Sequence, residues 1–266
     1  MQGLSGQRRI WLTGASSGIG EALARRLLEQ GHRVALSARR REPLAALADG
    51  QARALVLPCD ISDRDSLRQA AQGIDEAFGG LDVLLHVAGT CEYLDARRFD
   101  LDLVERVIDV NLNGALRTID AALPLLRRGR DKDAGPPLLA AVSSAAAYLP
   151  LPRAEAYGAS KAALSHFLES LRLDLADEGI DVSVIHPGFV ATPLTERNDF
   201  PMPMRIDAVS AARAILDGLE RRSRDIHFPK RFTALVKLAG ILPPALRFRL
   251  GRRLTRAGDS RQEASR

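Results

Sequence analysis

Apolar positions follow two alternating rhythms along the chain. Short runs that are apolar almost throughout lie at Arg9–Thr13, Arg33–Ala38, Ala52–Pro58, Asp82–Val87, Leu138–Ser143 and Asp181–His186, with a weaker one at Asp225–Phe228. Between them, apolar residues recur at helical spacing over Gly20–Gln30, Ser62–Phe78, Leu101–Leu126, Ala156–Glu178 and Asp207–Arg221. A strand with one wet face alternates in polarity, whereas a strand covered on both faces does not. Such runs, each followed by a helix, predict a parallel sheet with helices on both faces, and right-handed crossovers make it doubly wound. Local punctuation agrees: Gly31 stands where a helix wants a left-handed residue, and Ser62 with Asp65 resembles a capping box. Asp131–Pro137 reads as a polar loop. Val190–Arg205, with three prolines, reads as a lid or binding loop.

Composition narrows the class. Of 266 residues, 46% are hydrophobic and 27% charged, enough apolar material for one large α/β domain. Mean hydropathy is -0.09 and no long uncharged apolar run occurs, so no membrane-spanning helix is expected. No basic-then-apolar leader precedes Ile10, so no cleaved secretion signal is expected. Two cysteines, Cys59 and Cys91, build no disulfide framework, and no Cys/His cluster has zinc spacing. A cytoplasmic protein without a metal site is the expectation. Charge is uneven: residues 221–266 carry 13 basic and 3 acidic groups, net +10, leaving −5 on the remainder.

The first run leads into Thr13-Gly14-Ala15-Ser16-Ser17-Gly18-Ile19-Gly20, directly before the first helix. Glycines there permit a tight turn and close backbone approach, and the helix start behind them offers free N–H groups to a diphosphate. The second run ends Ser37-Ala38-Arg39-Arg40-Arg41, with no carboxylate before Glu42. A carboxylate at that place would hold the ribose 2′-hydroxyl of NAD(H), whereas a guanidinium attracts a 2′-phosphate. NADP(H) is therefore favoured over NAD(H); the competing reading is that Arg39–Arg41 is only a solvated helix start. Asp60, ending the third run, is placed to accept from an adenine amino group or to serve a turn. Ala88 and Gly89 after the fourth run let a cofactor pass close to the backbone.

At the other end of the motif set, Tyr157 and Lys161 are four residues apart at the start of a strong helix and share a face. Ser144 ends the fifth run, so all three converge at the carboxyl edge of the sheet, where such folds bind ligands. A phenol titrates at about pH 10 unaided, and a neighbouring ammonium together with an oxidised nicotinamide should bring it down toward working pH. Asn111, in the preceding helix, could hold a water linked to Lys161.

With these residues assembled, the chain resembles the short-chain dehydrogenase/reductase family, in its single-domain branch, over about residues 8–228. The resemblance rests on Thr13–Gly20, Asp60, Ala88-Gly89, Asn111, Ser144, the pair Tyr157 and Lys161, and Pro187-Gly188. It implies a Rossmann-type fold that transfers hydride between NADP(H) and a carbonyl/alcohol pair. Gly14, Ser16, Ser17, Gly18, Ile19, Gly20, Arg39, Asp60, Ala88 and Gly89 would hold the nucleotide. Tyr157 would be the general acid/base, Lys161 would bind the nicotinamide ribose, Ser144 would orient the carbonyl, and Asn111 would support a relay water. Pro187, Gly188, Val190 and Thr192 would flank the nicotinamide. A homodimer or homotetramer is implied as well. One departure stands out: the family's Asn-Asn-Ala-Gly is His86-Val87-Ala88-Gly89 here, and an altered or mildly less stable strand junction is expected. A nucleotide-sensing protein without turnover is the alternative, against which the intact Ser144, Tyr157 and Lys161 argue.

The substrate would lie beyond the nicotinamide, walled by Cys91, Glu92, Tyr93, Tyr148 and Leu149 and by the Val190–Arg205 loop. Leu151, Phe200 and Met202 add apolar surface, which suits a hydrophobic ketone or secondary alcohol. Cys91 has no evident base and reads as a packing or pocket residue. Residues 1–228 would form the catalytic domain, 229–256 a basic helical extension packed on it, and 257–266 a frayed tail. In the extension, Phe232, Leu235, Val236, Leu238, Ala239, Ile241 and Leu242 recur helically up to Pro243-Pro244, and Arg247, Arg249, Arg252 and Arg253 follow. It would cover the pocket, meet another subunit, or rest on anionic lipid at the inner face of a membrane. Aromatic stacking groups are lacking there, so no nucleic acid partner is expected.

Overall fold

The protein, described by a computed structural model over residues 6–129, 135–196, 198 and 200–252, is built on a seven-stranded parallel sheet. In chain order its strands are β1 (Arg9–Thr13), β2 (Arg33–Ser37), β3 (Ala54–Val56), β4 (Val83–His86), β5 (Leu138–Val142), β6 (Asp181–Pro187) and β9 (Asp225–Phe228). Their spatial order is β3-β2-β1-β4-β5-β6-β9. The order reverses between β1 and β4, which makes the doubly wound Rossmann-type sheet with its crevice at that point.

Helices cover both faces. On one side lie α1 (Gly18–Glu29), α2 (Arg41–Ala48) and α7 (Ala208–Glu220); on the other lie α3 (Arg64–Phe78), α5 (Gly114–Arg128) and α6 (Glu155–Ala176). Neighbouring residues of β1 divide between the two cores: Ile10 and Leu12 pack with Leu23 and Leu27, whereas Trp11 packs with Ile119 and Leu164. That division is why the runs read as continuously apolar. Each fully buried Leu or Ile contributes about 1.5–3 kcal/mol, so the two layers together dominate the stability.

Several elements differ from the periodicity. β3 is shorter than Ala52–Pro58 because it is the edge strand, pairing only with β2 and half-buried throughout. Helix α2 begins at Arg41, buries only Leu44 and Leu47, and at eight residues is too short for a helical period to declare itself. The long helix expected over Leu101–Leu126 is divided into α4 (Leu101–Ile108), a π-helical turn (Asp109–Asn113) and α5. Helix α3 is capped by Asp63, which accepts from the Asp65 N–H, rather than by a Ser62–Asp65 box. Gly31 has φ +83°, the left-handed residue its place after α1 requires. A two-stranded parallel ribbon, β7 (Val190–Ala191) with β8 (Ile206–Asp207), pins the two ends of the Val190–Arg205 loop together.

The chain continues past β9 into α8 (Lys230–Gly240) and a second helical stretch over residues 244–252, separated at Pro243. Most of the Asp131–Pro137 loop, Arg253 and the 257–266 tail lie outside the described residues. No helix among the described residues is long and apolar enough to cross a membrane.

Candidate active site

The glycine turn after β1 is shaped by backbone contact. A Cβ on Gly14 would lie 2.7 Å from the Ala88 nitrogen, and one on Gly20 would fall inside the Gly14 carbonyl. Gly14 and Gly18 also have φ of +72° and +55°, a region that L side chains avoid. A Cβ on Gly18 would press on Thr192, so β1's turn and the start of the Val190–Arg205 loop stand side by side. Ser17 is the N-cap of α1 but makes no side-chain capping bond, which leaves the first N–H groups of that helix for an incoming acceptor. Ser16 is half-buried beside it, and Ile19 is packed on the core. An electronegative diphosphate fits this cradle: bare backbone, free N–H groups and the positive end of a helix.

At the end of β2 the Ser37 hydroxyl is committed, accepting from the Trp11 indole at 2.9 Å, while Arg39 and Arg40 are exposed. Asp60 accepts from the Ser62 N–H at 2.9 Å, so it does serve a turn; its carboxylate stays half-buried.

The departure at His86-Val87 has its own solution. Thr13 Oγ1 lies 3.0 Å from His86 Nδ1 and accepts from the Val87 and Ala88 N–H groups at 3.2 and 3.4 Å. The buried imidazole thus makes the bond between β4 and β1 for which Val87 has no group. Burial, with repulsion from Lys161, lowers its pKa to about 3, so it is neutral, and its Nε2 has no hydrogen-bond partner among the described residues.

Asn111 sits in the π-turn, fully buried. It accepts from Thr90 N–H at 2.8 Å and donates to the Thr90 carbonyl at 2.9 Å and to Ser160 Oγ at 3.1 Å. Its amide therefore clamps the β4 loop to α6, and π-turns of this kind occur where an extra residue must face a site. A Cβ on Gly89 would lie 3.0 Å from Asn111 Oδ1 and 3.3 Å from Lys161 Nζ, which places all three at one point.

Helix α6 brings Tyr157 and Lys161 to the same edge. Lys161 Nζ is buried, donates to the Val142 carbonyl at 3.0 Å and lies 6.0 Å from the Tyr157 ring centroid. Desolvation lowers its pKa to about 8. The Tyr157 phenol is pushed up by burial and by Cys91, against a hydrogen bond from Ser144 that lowers it. Burial is the largest of these influences and holds the phenol above its ordinary range. At neutral pH this phenol carries its proton, the form a proton donor needs.

Around this centre stand aromatic groups. Tyr93 donates to Asn198 Oδ1 at 2.8 Å and meets Phe200 edge-on at 5.5 Å. Phe200 neighbours Phe189 at 6.1 Å, and Phe189 neighbours Phe232 of α8 at 5.2 Å. Phe189 and Asn198 were not singled out from the sequence, and Phe232 was read only as part of the extension's helical apolar pattern; contacts with Tyr93, Phe200 and, for Phe232, Phe189 reveal them. Cys91 is partly buried against Tyr93, and burial pushes its thiol up, away from nucleophilic use. Leu149 is buried. Tyr148 turns elsewhere: its ring packs on His186 at 4.5 Å and its hydroxyl donates to Asp225 at 3.2 Å. Glu92 faces outward in an ion pair with Arg106. Val190 is buried, and a Cβ on Gly188 would meet the Phe232 ring at 2.7 Å, so Pro187-Gly188 seats α8. A separate cleft between α3 and α5, lined by Arg64, Arg68, Arg117 and Asp120, contains none of these residues. No group of three or more His, Cys, Asp or Glu able to hold a metal occurs among the described residues.

Comparison with known proteins agrees with this geometry. Residues 8–200 match the short chain dehydrogenase family. The chain is 36% identical over 252 residues to an uncharacterized oxidoreductase of Myxococcus xanthus, covering 93% of this chain and 97% of that protein. It is 32% identical over 247 residues to 11-beta-hydroxysteroid dehydrogenase 1A of Arabidopsis thaliana, covering 84% and 68%. Among solved structures, a short chain dehydrogenase of Burkholderia cenocepacia in complex with NADP superposes with a TM-score of 0.78 at 26% identity, covering 92% and 97%. One from Burkholderia phymatum in complex with NAD has the same TM-score at 22% identity, which speaks for the fold alone.

Proposed function

The chain belongs to the short-chain dehydrogenase family of NAD(P)-binding oxidoreductases, and from that premise we propose that it reduces a hydrophobic ketone, or oxidises the matching secondary alcohol, with NADP(H). The observation that carries this reading is the convergence of Ser144, Tyr157 and Lys161 at one sheet edge, beside the glycine cradle. Gly14, Ser16, Ser17, Gly18, Ile19 and Gly20 would receive the diphosphate, Asp60 the adenine, and Pro187, Gly188, Val190 and Thr192 the nicotinamide, while Ala88 and Gly89 would let the cofactor pass close to the backbone. Exposed Arg39 supports the phosphorylated cofactor, since a guanidinium pairs with a 2′-phosphate bidentately.

When bound, the dihydronicotinamide supplies the hydride to the carbonyl carbon. Tyr157 gives its phenolic proton to the carbonyl oxygen as the C=O becomes C–OH, and Ser144 holds that oxygen. Lys161 stabilises the phenolate left behind. In the oxidative direction Tyr157 takes the proton back, so that rate rises with pH through the phenol's pKa. Tyr93, Phe189, Phe200 and Phe232 supply the apolar wall that argues for a lipophilic substrate. A panel of lipophilic ketones, aldehydes and alcohols tested with both cofactors decides the reading. Turnover with NADPH, reduced by about 10²–10⁴-fold in Tyr157→Phe, supports it; full turnover in that variant, or no turnover despite tight NADPH binding, overturns it.

A second reading concerns where the enzyme works, treating residues 229–256 as an extension of the catalytic domain. Leu235, Leu238, Ile241, Leu246 and Phe248 are exposed on α8 and the helix after it, with Ile241 80% accessible. They stand among Lys230, Arg231, Arg249 and Arg252, which are exposed too. Apolar groups interleaved with cations match an anionic bilayer surface, and Phe232 joins this helix to the aromatic wall. Flotation of the full chain with phosphatidylcholine vesicles, with and without phosphatidylserine, tests it. Binding only to the anionic vesicles, lost in Leu238→Asp, is expected. An α8-dependent dimer with no flotation would assign the face to a second copy instead.

A further inference from the structure

Behind Tyr157 and Lys161, four elements contribute side chains to a cluster, buried at Ser143 and His186 and open to solvent at Asp225, that the proposed reaction does not use. Ser143, just after β5, donates to the Lys161 carbonyl at 2.9 Å. Ser165, one turn further along α6, lies 2.9 Å from the same carbonyl and 2.8 Å from Ser143 Oγ. Its hydroxyl is also 3.0 Å from His186 Nε2 at the end of β6. His186 Nδ1 lies 2.9 Å from Asp225 Oδ1 at the start of β9. A carboxylate only accepts, so Nδ1 carries the proton. Asp225 is itself gripped from α8 by Lys237 and by the Tyr148 hydroxyl, and the Tyr148 ring lies over the imidazole.

The order Ser-His-Asp is that of a nucleophilic triad, but the setting is wrong for acyl transfer. Ser165 is in mid-helix, its hydroxyl engaged by Ser143 and by the Lys161 carbonyl. The helix consumes the surrounding N–H groups, so none is left to receive an oxyanion. What the cluster does hold is Lys161. Its carbonyl is tied to Ser143 and its Nζ to Val142, so both ends of the residue are fastened to two successive positions at the end of β5. The next residue in the chain is Ser144.

We propose that His186 is a positioning residue for this oxidoreductase site: braced by Asp225, it fixes Ser165 and Ser143, and through them the place of Lys161 and Ser144. The inference rests on the reading of Tyr157 and Lys161 given above. It also links the chain beyond β9 to the site, since Lys237 of α8, together with Tyr148, braces Asp225. Other charged or titratable groups near the imidazole and its partner are Arg172 and Glu169 on α6 and His227 on β9.

The test uses the full chain and the variants Ser165→Ala, His186→Phe and His186→Gln. The protein has four lysines, so Lys161 can be followed by NMR in ¹³C-lysine-labelled protein without cofactor. In the wild type burial should hold its pKa below the ordinary lysine range, at about 8. Loosened from Val142 toward water, it should titrate about one pH unit higher in His186→Phe and Ser165→Ala. In parallel, kcat should fall about tenfold at unchanged KM, and the rising limb of the oxidation profile should move to higher pH as the phenolate loses its cation. His186→Gln, which can still bond Ser165, should restore much of both. An unmoved Lys161 titration and pH limb in His186→Phe, whatever the loss in melting temperature, overturns the inference. Should no substrate be turned over at all, the proposed reaction fails while the Lys161 titration still decides this point.

Discussion

The two halves of the sheet hold their functional groups by different physics. From β1 to β4, position is set by backbone against backbone: Gly14 against Ala88 and Gly20 against the Gly14 carbonyl. Beyond β4, position is set by side chains: Asn111 to Thr90 and Ser160, Lys161 to Val142, and the Ser143, Ser165, His186 and Asp225 cluster. Backbone contact tolerates one residue type and repeats wherever a diphosphate must be approached. Side-chain networks can be rebuilt with other residues, so they can differ between relatives that share the same chemistry. His86 is a case inside the first half, where an imidazole replaces an amide and still bonds β1 through Thr13.

The largest effect that would test this contrast is Gly20→Ala. A single added methyl must displace the Gly14 carbonyl. NADPH affinity, followed by its fluorescence, should fall by at least about 100-fold, and the melting temperature should drop by several degrees. Gly50→Ala, at a positive φ but with open space around it, should cost stability only. If Gly20→Ala binds NADPH normally, the backbone account of the first half is wrong.

Arg39→Glu probes the one side chain of the first half that is given a recognition role. It should invert the cofactor ratio, weakening NADPH by about 10–100-fold while leaving NADH within a few-fold. Equal loss for both cofactors would return Arg39 to the role of a solvated residue ahead of α2.

The smallest effect concerns His86. Its folded pKa of about 3 lies below the unfolded value of about 6.5. The unfolded chain therefore binds the proton first, and stability is lost as pH falls through the window from about 6.5 toward 3, by at most about 1.4 kcal/mol per pH unit. His86→Asn removes that proton linkage, so its urea midpoint should decline less between pH 7 and 5 than that of the wild type. Parallel declines would show that the imidazole is not the acid-sensitive group.

Much of this was legible in the chain. Apolar runs marked every strand of the main sheet, because strands covered on both faces have no wet side to alternate with. The glycine turn was legible because few residue types survive there, and Tyr157 with Lys161 because helical spacing puts them on one face. Helix α2 was not, since only Leu44 and Leu47 face the core. Neither was the π-turn, whose cause is the pull of Thr90 and Ser160 on Asn111, residues 21 and 49 positions away.

By itself, then, the sequence determined the class of fold, the glycine turn after β1 and the sharing of one helix face by Tyr157 and Lys161, all set by short-range periodicity and by residue types with few substitutes. Tertiary structure alone decided that Tyr148 turns to Asp225, that Phe189 and Phe232 join the aromatic wall, and that His186 reaches the lysine helix. It also decided the protonation of Tyr157, which burial raises although a cation stands one helical turn away. Such outcomes depend on distances between segments far apart in the chain and on how much water each side chain loses, and neither quantity is written in local spacing.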